Sequence, residues 1–286
     1  MKGKIIALFT ALLMTGTLAG CTKATGKKKE NLPESSNGIY EELPLEEENN
    51  EIPEEELPEE EIPAITLPEE EPPKVKTVSY LLVNADGVNI RSGAGTSFSA
   101  LGTAEKSTLY ALLGEENGFY RTNYKNKTAY ISKKYCTLYE MDKSDSDEIE
   151  AVIAEGTKCL GTPYVYGATR LHDGKGNMYK GFSINAFDCS SLMQYMFYKG
   201  ADKLLEVNTR TQIYQGTTVA KSKLKRGDLI FFTNASRKNN SGIERVGHVA
   251  MYLGDNYILH TASDYAKIER ISSTRWGYYI QTQRII

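Results

Sequence analysis

A segment rich in glutamate and proline, which cannot form a buried core, precedes the part of this chain that can form one. Residues 30–77 hold 17 Glu and eight of the nine Pro, and their only basic residues are Lys74 and Lys76. Like charges repel, proline favours extended polyproline II, and few apolar side chains are present to bury. We therefore predict a disordered acidic tether over residues 21–77, with an acidic tail that binds a metal or a partner as the alternative.

The first residues have the pattern of an export signal. Lys2 and Lys4 precede an apolar stretch over residues 5–18, which is too short to span a bilayer as a helix of the mature protein. The stretch ends in LAGC, which resembles the lipobox of bacterial lipoproteins. The resemblance implies a lipoprotein signal peptide over residues 1–20 and a lipid on Cys21, hence an exported protein that is anchored in the membrane and faces the cell wall. An ordinary secretion signal with an incidental cysteine is the alternative.

Residues 78–140 have the pattern of a small all-β domain, followed by a linker over residues 141–146. Gly, Asn or Asp interrupts short apolar runs about every 8–12 residues, and EENG and YKNK are typical of hairpin turns. The stretch resembles a bacterial SH3 domain, most clearly in VNIRSG, GEENGFY and TAYISKKY. Phe119 stands where that family usually has Trp, and residues 129–130 are Ala-Tyr where it usually has Gly-Trp. The resemblance implies a small barrel that targets the wall or borders an active-site cleft; a packing module without a ligand is the alternative.

Residues 147–286 change to a pattern in which helices precede strands. A first helix is predicted because four residues share one of its faces: Ile149, Val152, Ile153 and Gly156. A second helical segment starts at FDCSS, and the strand-like sequences KLKRGDLIFFT and VGHVAMYLGDNYILHTAS follow it. This order predicts an α+β domain with helices packed on an antiparallel sheet.

Cys189 lies at the start of the second predicted helix. Apolar residues recur behind it at helical spacing, and Asp188 is a candidate N-cap. The positive end of the helix dipole favours a thiolate there, and free backbone N–H groups can stabilise an oxyanion. Cys189 is therefore a candidate nucleophile, with a buried structural cysteine as the alternative. Cys136 and Cys159 are interpreted as small buried residues, and a disulfide between them stays open.

The histidines supply a candidate base. The chain has only three, His172, His248 and His260. A thiol nucleophile needs an imidazole that takes its proton and later protonates the leaving amine, and a partner that fixes the imidazole tautomer. If residues 254–256 form a three-residue hairpin loop, Ala250 pairs with His260, and His248 and His260 become diagonal neighbours on one face. A two-residue loop would place them on opposite faces.

The motifs of residues 147–286 together resemble the NlpC family of bacterial cell-wall cysteine peptidases. The matching sequences are GTPYVYGA, FDCSSLMQYMF, LKRGDLIFF, GHVAMYLGD and YILHTA. The resemblance implies a papain-like α+β fold and hydrolysis of peptidoglycan stem peptides, usually at the bond from γ-D-glutamate to the diamino acid, through a thioester acyl-enzyme. It makes Cys189 the nucleophile, His248 the base and His260 the orienting third residue.

The resemblance also implies substrate-binding roles for three residues. Tyr164 matches a tyrosine of the family's active site, whose hydroxyl lines the pocket or helps to hold the thiolate; a core aromatic is the alternative. Asp188 and Ser190 flank the nucleophile and are expected to bind the free amine or the backbone of the substrate.

Three departures from the family pattern leave the choice of stem peptide open. Ala168 and Ser191 each stand where the family usually has Gly. Residues 168–186 form an unusually long segment that carries His172 and is rich in Gly, Lys and Asn, so we expect a lid or a specificity loop.

No cofactor or metal is expected, because no ligand spacing such as His-Glu-x-x-His is present. Residues 78–286 hold 26 Lys and Arg against 20 Asp and Glu, and this net charge of +6 suits an anionic wall. The basic residues are scattered, so no nucleic-acid partner is expected, and we predict a monomer. The alternative functions are a non-catalytic wall-binding lipoprotein and a cell-wall amidase or acyltransferase that uses the same site.

Overall fold

The structure, a computed structural model, describes residues 76–168 and 170–286. The predicted signal peptide, the lipidation of Cys21 and residues 21–75 of the predicted tether lie outside the described residues. Within the described ranges, no helix is both long enough and apolar enough to cross a membrane.

The described residues before residue 143 form eight strands: β1 (Thr77–Val83), β2 (Val88–Arg91), β3 (Ala100–Ala104), β4 (Leu109–Ala111), β5 (Gly114–Glu116), β6 (Phe119–Tyr124), β7 (Lys127–Ser132) and β8 (Cys136–Asp142). Three of them make one antiparallel sheet in the order β4-β1-β8. The other five make a second antiparallel sheet in the order β3-β2-β7-β6-β5. The prediction of a small all-β unit here is confirmed.

Two predicted hairpin turns of this part are confirmed by their backbone conformation. Asn117 and Gly118 join β5 to β6, and Lys125 and Asn126 join β6 to β7. All four residues have positive φ, which is the conformation that a two-residue hairpin turn of type I′ requires. Strand β8 extends to Asp142, so the segment that links it to the next helix is shorter than the predicted linker.

The remaining described residues form four α-helices and six strands: α1 (Asp147–Lys158), α2 (Cys189–Ala201), α3 (Thr209–Gln212), β9 (Thr217–Val219), β10 (Leu229–Phe232), β11 (His248–Gly254), β12 (Tyr257–Ala262), β13 (Tyr265–Arg270), α4 (Ser273–Gly277) and β14 (Tyr279–Arg284). The strands form one antiparallel sheet in the order β13-β12-β11-β10-β14-β9. The expected combination of helices with an antiparallel sheet is therefore present.

This six-stranded sheet buries apolar side chains on both faces. Val249, Met251 and Leu253 of β11 belong to the main core, which also contains buried residues of α1 and α2. Ala250 lies in a second cluster on the opposite face, with Ile230 and other residues. The alternation along β11 is the one predicted from its sequence.

A glycine lets α1 and α2 approach each other closely. A Cβ added at Gly200 of α2 would lie 2.4 Å from Val152 Cα and 2.5 Å from Val152 N in α1. Helix α1 turns its predicted apolar face inward, since all four residues of that face are buried: Ile149, Val152, Ile153 and Gly156. This contact helps to fix the position of α2, which carries Cys189 at its first residue.

A buried guanidinium joins the first eight strands to the remainder. Arg226 Nη2 donates to the hydroxyl of Tyr80 in β1 at 2.8 Å, and Arg226 Nε donates to Glu150 Oε1 of α1 at 2.6 Å. Its Nη1 also donates to the carbonyl of Leu253 at 2.8 Å. Burial alone would lower the pKa of Arg226, but Glu150 and Tyr80 raise it, so the guanidinium stays charged. Both parts of the described chain consequently contribute to one core.

We predict that Gly200→Ala lowers the free energy of unfolding by about 1–3 kcal/mol, because the added methyl group meets the backbone of α1. Urea-induced unfolding of the variant measures this change. Gly277→Ala in α4 is the matched control, since its added Cβ has nothing within 4 Å. Equal unfolding midpoints for the two variants would contradict the proposed close contact.

Candidate active site

The N-terminus of α2 is organised by the side chain of Asp188. Asp188 Oδ1 accepts a hydrogen bond from Ser191 N at 2.9 Å, and Asp188 N donates to Ser191 Oγ at 2.9 Å. This reciprocal capping box makes Cys189 the first residue of the helix. The predicted N-cap role of Asp188 is therefore confirmed, and Ser191 has a structural reason to replace the usual glycine.

Burial governs the protonation of the Cys189 thiol. Burial and the charge of Asp188 raise the pKa of this thiol to about 12, and the backbone N–H groups of Val249 and Ser190 only partly oppose them. The thiolate that the helix dipole was expected to favour is thus not the resting form, because desolvation outweighs the dipole. A thiol in this state can act as a nucleophile only if a base takes its proton.

Acidity does not distinguish Cys189 from the other described cysteines. Burial also raises the pKa of Cys136 and that of Cys159 to about 12. All three are free thiols, so the disulfide left open between Cys136 and Cys159 is not formed. Cys189 differs in its position, because it begins a helix and lines a cavity.

Strands β11 and β12 bring His248 and His260 together. His248 Nε2 lies 3.1 Å from His260 Nδ1. Met251 pairs with Leu259, and this register continues to place Ala250 opposite His260. The two histidines are therefore diagonal neighbours on one face, as the sequence predicts.

The loop that sets this register differs from the predicted one. Only Asp255 and Asn256 form the turn, and both have positive φ. Gly254 pairs with Tyr257, and a register shift lies between Tyr252 and Gly254. The three-residue loop is thus wrong, but the irregularity in β11 supplies the extra residue and restores the predicted faces.

A carboxylate extends the histidine pair to a third strand. His260 Nε2 lies 2.9 Å from Glu269 Oε1 of β13, and Arg275 Nη2 donates to the same oxygen at 3.0 Å. An ionised carboxylate only accepts, so we assign the proton to His260 Nε2 and leave His260 Nδ1 as an acceptor. His248 Nε2 must then donate to that nitrogen, which leaves His248 Nδ1 without a proton. Glu269 therefore fixes the tautomer that a general base requires.

The protonation of this relay suits a base at neutral pH. Burial lowers the pKa of His248 well below 6.5, and the charges of His260 and Arg275 lower it further. Burial also lowers the pKa of His260, and the hydrogen bond that His260 donates to Glu269 opposes this effect. Burial alone would raise the pKa of Glu269, but its hydrogen bond and charge interaction with His260, together with Arg275, bring it to about 2. The rings are neutral and the carboxylate is ionised.

The sequence interpretation missed Glu269, although the β12–β13 hairpin contains the signal. Ala262 pairs with Tyr265 across a two-residue turn, and this register places Ile258 opposite Glu269. Because Ile258 and His260 share a face, Glu269 lies diagonal to His260.

Two cavities flank Tyr164, which lines both of them together with Gly247. The His248 cavity, of about 370 Å³, is also lined by Thr233 and Arg275. The Cys189 cavity, of about 140 Å³, is also lined by several polar residues: Arg170, Asp188, Ser190, Arg210 and Arg237. Burial raises the pKa of Tyr164, and the charge of Asp188 adds to this effect, so its hydroxyl stays protonated beside the Cys189 thiol. The structure therefore brings all six predicted site residues to adjoining cavities or to the relay behind them.

The described part of the long segment, residues 168 and 170–186, is anchored to the body of the protein. His172 is buried, with Nε2 at 2.8 Å from Leu205 O and Nδ1 accepting from Gly174 N at 3.1 Å. Leu171 N donates to Gln194 Oε1 of α2 at 3.2 Å. His172 is thus a structural histidine, and these bonds fit a specificity loop better than a lid.

The assembled groups provide the parts that acyl transfer from an amide requires. A thiol stands at a helix N-terminus beside the backbone N–H of Val249, the residue that follows His248. The His248 imidazole has a fixed tautomer, and a carboxylate orients the imidazole relay. In residues 76–168 and 170–286, no group of three or more His, Cys, Asp or Glu side chains is arranged to hold a metal ion.

Family comparisons assign both parts of the described chain. Residues 161–284 match the NlpC/P60 family, and residues 86–137 match the bacterial SH3 domain. The chain carries an NlpC/P60 domain behind a bacterial SH3 domain. The resemblances to a bacterial SH3 domain and to the NlpC family are thereby confirmed, while the resemblance of LAGC to a lipobox stays a prediction.

Relatives of the NlpC/P60 domain include named peptidoglycan peptidases. A gamma-D-glutamyl-L-lysine dipeptidyl-peptidase of Bacillus cereus is 29% identical over 174 residues, which cover 60% of this chain and 46% of that protein. A peptidoglycan DL-endopeptidase of Bacillus licheniformis is 31% identical over 136 residues, which cover 46% of this chain and 27% of that protein. The chain thus spans less than half the length of these curated relatives. A crystal structure of an NlpC/P60 family protein from Bacillus cereus is 25% identical with a TM-score of 0.39, covering 73% of this chain and 63% of that one.

We predict that Glu269→Gln lowers kcat for the hydrolysis of a stem peptide roughly ten- to hundredfold, with little change in KM. The neutral amide removes the charge that fixes the His260 tautomer, while the cavities that bind substrate stay intact. Nitrogen NMR of the histidine rings should show His260 Nε2 and His248 Nε2 protonated in the unmodified protein and a mixture of tautomers in the variant.

Glu105→Gln is the control, since Glu105, like Glu269, pairs with a cation, here Lys267 of β13 at 3.2 Å, but lies outside the relay. Its kcat and its histidine tautomers should match those of the unmodified protein. Unchanged histidine tautomers in Glu269→Gln would contradict the role of Glu269 in fixing the tautomers of the relay.

Proposed function

We propose that this protein is a cysteine endopeptidase of peptidoglycan stem peptides that cleaves the bond from γ-D-glutamate to the diamino acid. The observation that carries the proposal is the hydrogen-bonded series His248–His260–Glu269, together with a thiol at the first residue of a helix beside the N–H of Val249, the neighbour of His248 in the chain. The names of the relatives supply the substrate class, and the geometry supplies the reaction type.

The reaction begins with attack of Cys189 Sγ on the amide carbonyl. His248 Nδ1 takes the thiol proton as the sulfur–carbon bond forms, and the carbonyl electron pair moves to oxygen. The N–H groups of Cys189 and Ser190 lie in the first turn of α2, outside the helix hydrogen-bond ladder, and are the candidate donors to this oxyanion. Glu269 and His260 stabilise the His248 imidazolium that results.

The intermediate collapses when the carbon–nitrogen bond breaks and His248 gives its proton to the leaving amine. A thioester then links the acyl group to Cys189. His248 next takes a proton from water, and the resulting hydroxide attacks the thioester. The sulfur leaves with the proton from His248, so the net reaction is hydrolysis of one amide to a carboxylic acid and an amine.

Each of the two cavities binds the part of the substrate on one side of the scissile bond. Because the leaving amine receives its proton from His248, the diamino acid occupies the His248 cavity. The acyl portion, which becomes bonded to Cys189, occupies the Cys189 cavity, where Asp188, Ser190 and the hydroxyl of Tyr164 are the substrate-binding candidates.

The proposed cellular setting follows from the sequence. A lipid on Cys21 would anchor the chain in the membrane after removal of residues 1–20, and the acidic tether over residues 21–77 would carry the catalytic part into the wall as a monomer. The SH3 part would act as a small barrel that binds wall material, joined to a papain-like catalytic domain over residues 147–286.

We predict that Cys189→Ala abolishes cleavage of γ-D-glutamyl-diamino acid stem peptides, with a loss of roughly 10⁴-fold or more. Product masses from purified full chain would identify the bond. Cys136→Ala is a closely matched control, because both side chains are 8% exposed and both thiols have a pKa of about 12. Cleavage by Cys189→Ala, or product masses that fit an amidase or acyltransferase, would contradict the proposal.

We also predict how the rate of Cys189 alkylation depends on pH. Because the pKa of the thiol is raised to about 12 and that of His248 lies well below 6.5, both groups are neutral near pH 7. Alkylation by iodoacetamide should therefore accelerate about tenfold per pH unit between about pH 6 and pH 9, in step with the thiolate fraction. The His248→Ala variant should show the same slope. A plateau that the variant loses would indicate a thiolate–imidazolium pair instead.

A further inference from the structure

A side chain of the 168–186 segment neutralises the acidic residue next to the nucleophile. Arg170 Nη2 forms an ion pair with Asp188 Oδ2, and Arg170 Nη1 donates to the carbonyl of Ala168 at 2.7 Å. Both partners are largely shielded from water, since the side chains are 17% and 6% exposed. The pair therefore belongs to the floor of the Cys189 cavity and is screened little by solvent.

The hydrogen-bonding capacity of the Asp188 carboxylate is used within the protein. Oδ1 accepts from Ser191 N and from Ser190 Oγ, each at 2.9 Å. Oδ2 accepts from Gly167 N at 3.2 Å and from Arg170. A carboxylate offers about four acceptor positions, so an incoming ammonium group would have to displace one of these donors.

The other charged side chains of the Cys189 cavity are also cationic. Arg210 and Arg237 line it, and both lie close to one carboxylate, that of Glu244, at 3.6 Å and 3.1 Å. Glu244 is more than half exposed and does not line the cavity. The cavity and its immediate surroundings thus contain three guanidinium groups and only two carboxylates, one of which is turned toward solvent.

We propose that the Cys189 cavity selects an acyl portion that carries a carboxylate and no free ammonium group. This inference rests on the proposed function, and it names the substrate class as stem peptides whose N-terminal end is acylated and whose γ-linked glutamate keeps a free α-carboxylate. A free N-terminal ammonium would face the guanidinium of Arg170, because the acceptor positions of the Asp188 carboxylate are already used. The α-carboxylate instead finds guanidinium donors, which bind carboxylates through two parallel hydrogen bonds.

The test measures binding separately from cleavage. Full-length Cys189→Ala would be titrated by calorimetry with four γ-D-glutamyl-diamino acid stem peptides. They combine a free or N-acetylated alanine with an α-carboxylate or an α-amide on the glutamate. We expect the N-acetylated α-carboxylate peptide to bind roughly tenfold more tightly than either peptide that differs from it by one group. Tighter binding of the free-amine peptides, or equal binding of all four, would overturn the inference.

Arg170→Gln tests the cause of the preference in the same Cys189→Ala background. The variant frees Asp188 Oδ2, so the preference for the N-acetylated over the free-amine peptide should fall at least about tenfold and can reverse. Arg170→Lys keeps the charge and should keep the direction of the preference. Arg245→Gln is the control, since Arg245 is an exposed arginine two residues from Gly247 that does not line the cavity. A preference that survives Arg170→Gln unchanged would assign the selection to other residues and overturn the inference.

Cleavage by the protein with Cys189 intact then separates the two proposals. Hydrolysis of the free-amine peptides alone would support the peptidase function and overturn this inference. Failure to cleave any of the four, with the predicted binding order retained, would overturn the peptidase function and support the cavity's selectivity.

Discussion

The register of three consecutive antiparallel strands is the constraint on which the site depends. β11, β12 and β13 are joined by tight turns, so the diagonal positions of His248, His260 and Glu269 follow from backbone pairing and do not depend on loops that have to move into place. A slip of one residue in either hairpin would turn one of these side chains to the opposite face, where apolar groups pack against α2. The irregularity in β11 compensates for the two-residue turn and keeps His248 and His260 on one face. Packing α2 on the same sheet then brings Cys189 beside Val249 N–H, at the end of the sheet where the relay starts.

Burial determines the protonation states of the groups in this site. It holds the thiol and both imidazoles in their neutral forms, and it leaves Glu269 as the ionised member of the relay because His260 and Arg275 stabilise its charge. A neutral thiol does not attack an amide until its proton is taken, so the tautomer of His248 matters more here than the acidity of Cys189. Desolvation also explains why the Arg170–Asp188 pair can determine which charges the Cys189 cavity accepts.

Much of this arrangement could be predicted from the sequence, and the misses have physical causes. The faces of β11, the cap at Asp188 and the pairing of the two histidines follow from alternation, helix-end chemistry and strand register. The three-residue loop was wrong because an irregularity inside a strand leaves little signal in the sequence. Arg170 was missed because its partner is 18 residues away, across a segment whose path depends on anchors such as His172. Glu269 could have been found by carrying the register into one more strand.

The central claim is that Cys189 forms a covalent bond to the acyl portion of a stem peptide with the help of the histidine relay. Rapid quenching of the full chain in acid during turnover, followed by peptide mass spectrometry, tests it most directly. The account predicts that the mass of the acyl group appears on the peptide that contains Cys189, that the peptides containing Cys136 and Cys159 stay unmodified, and that His248→Ala prevents the adduct. Turnover without an adduct on Cys189, or an adduct on another residue, would contradict the account.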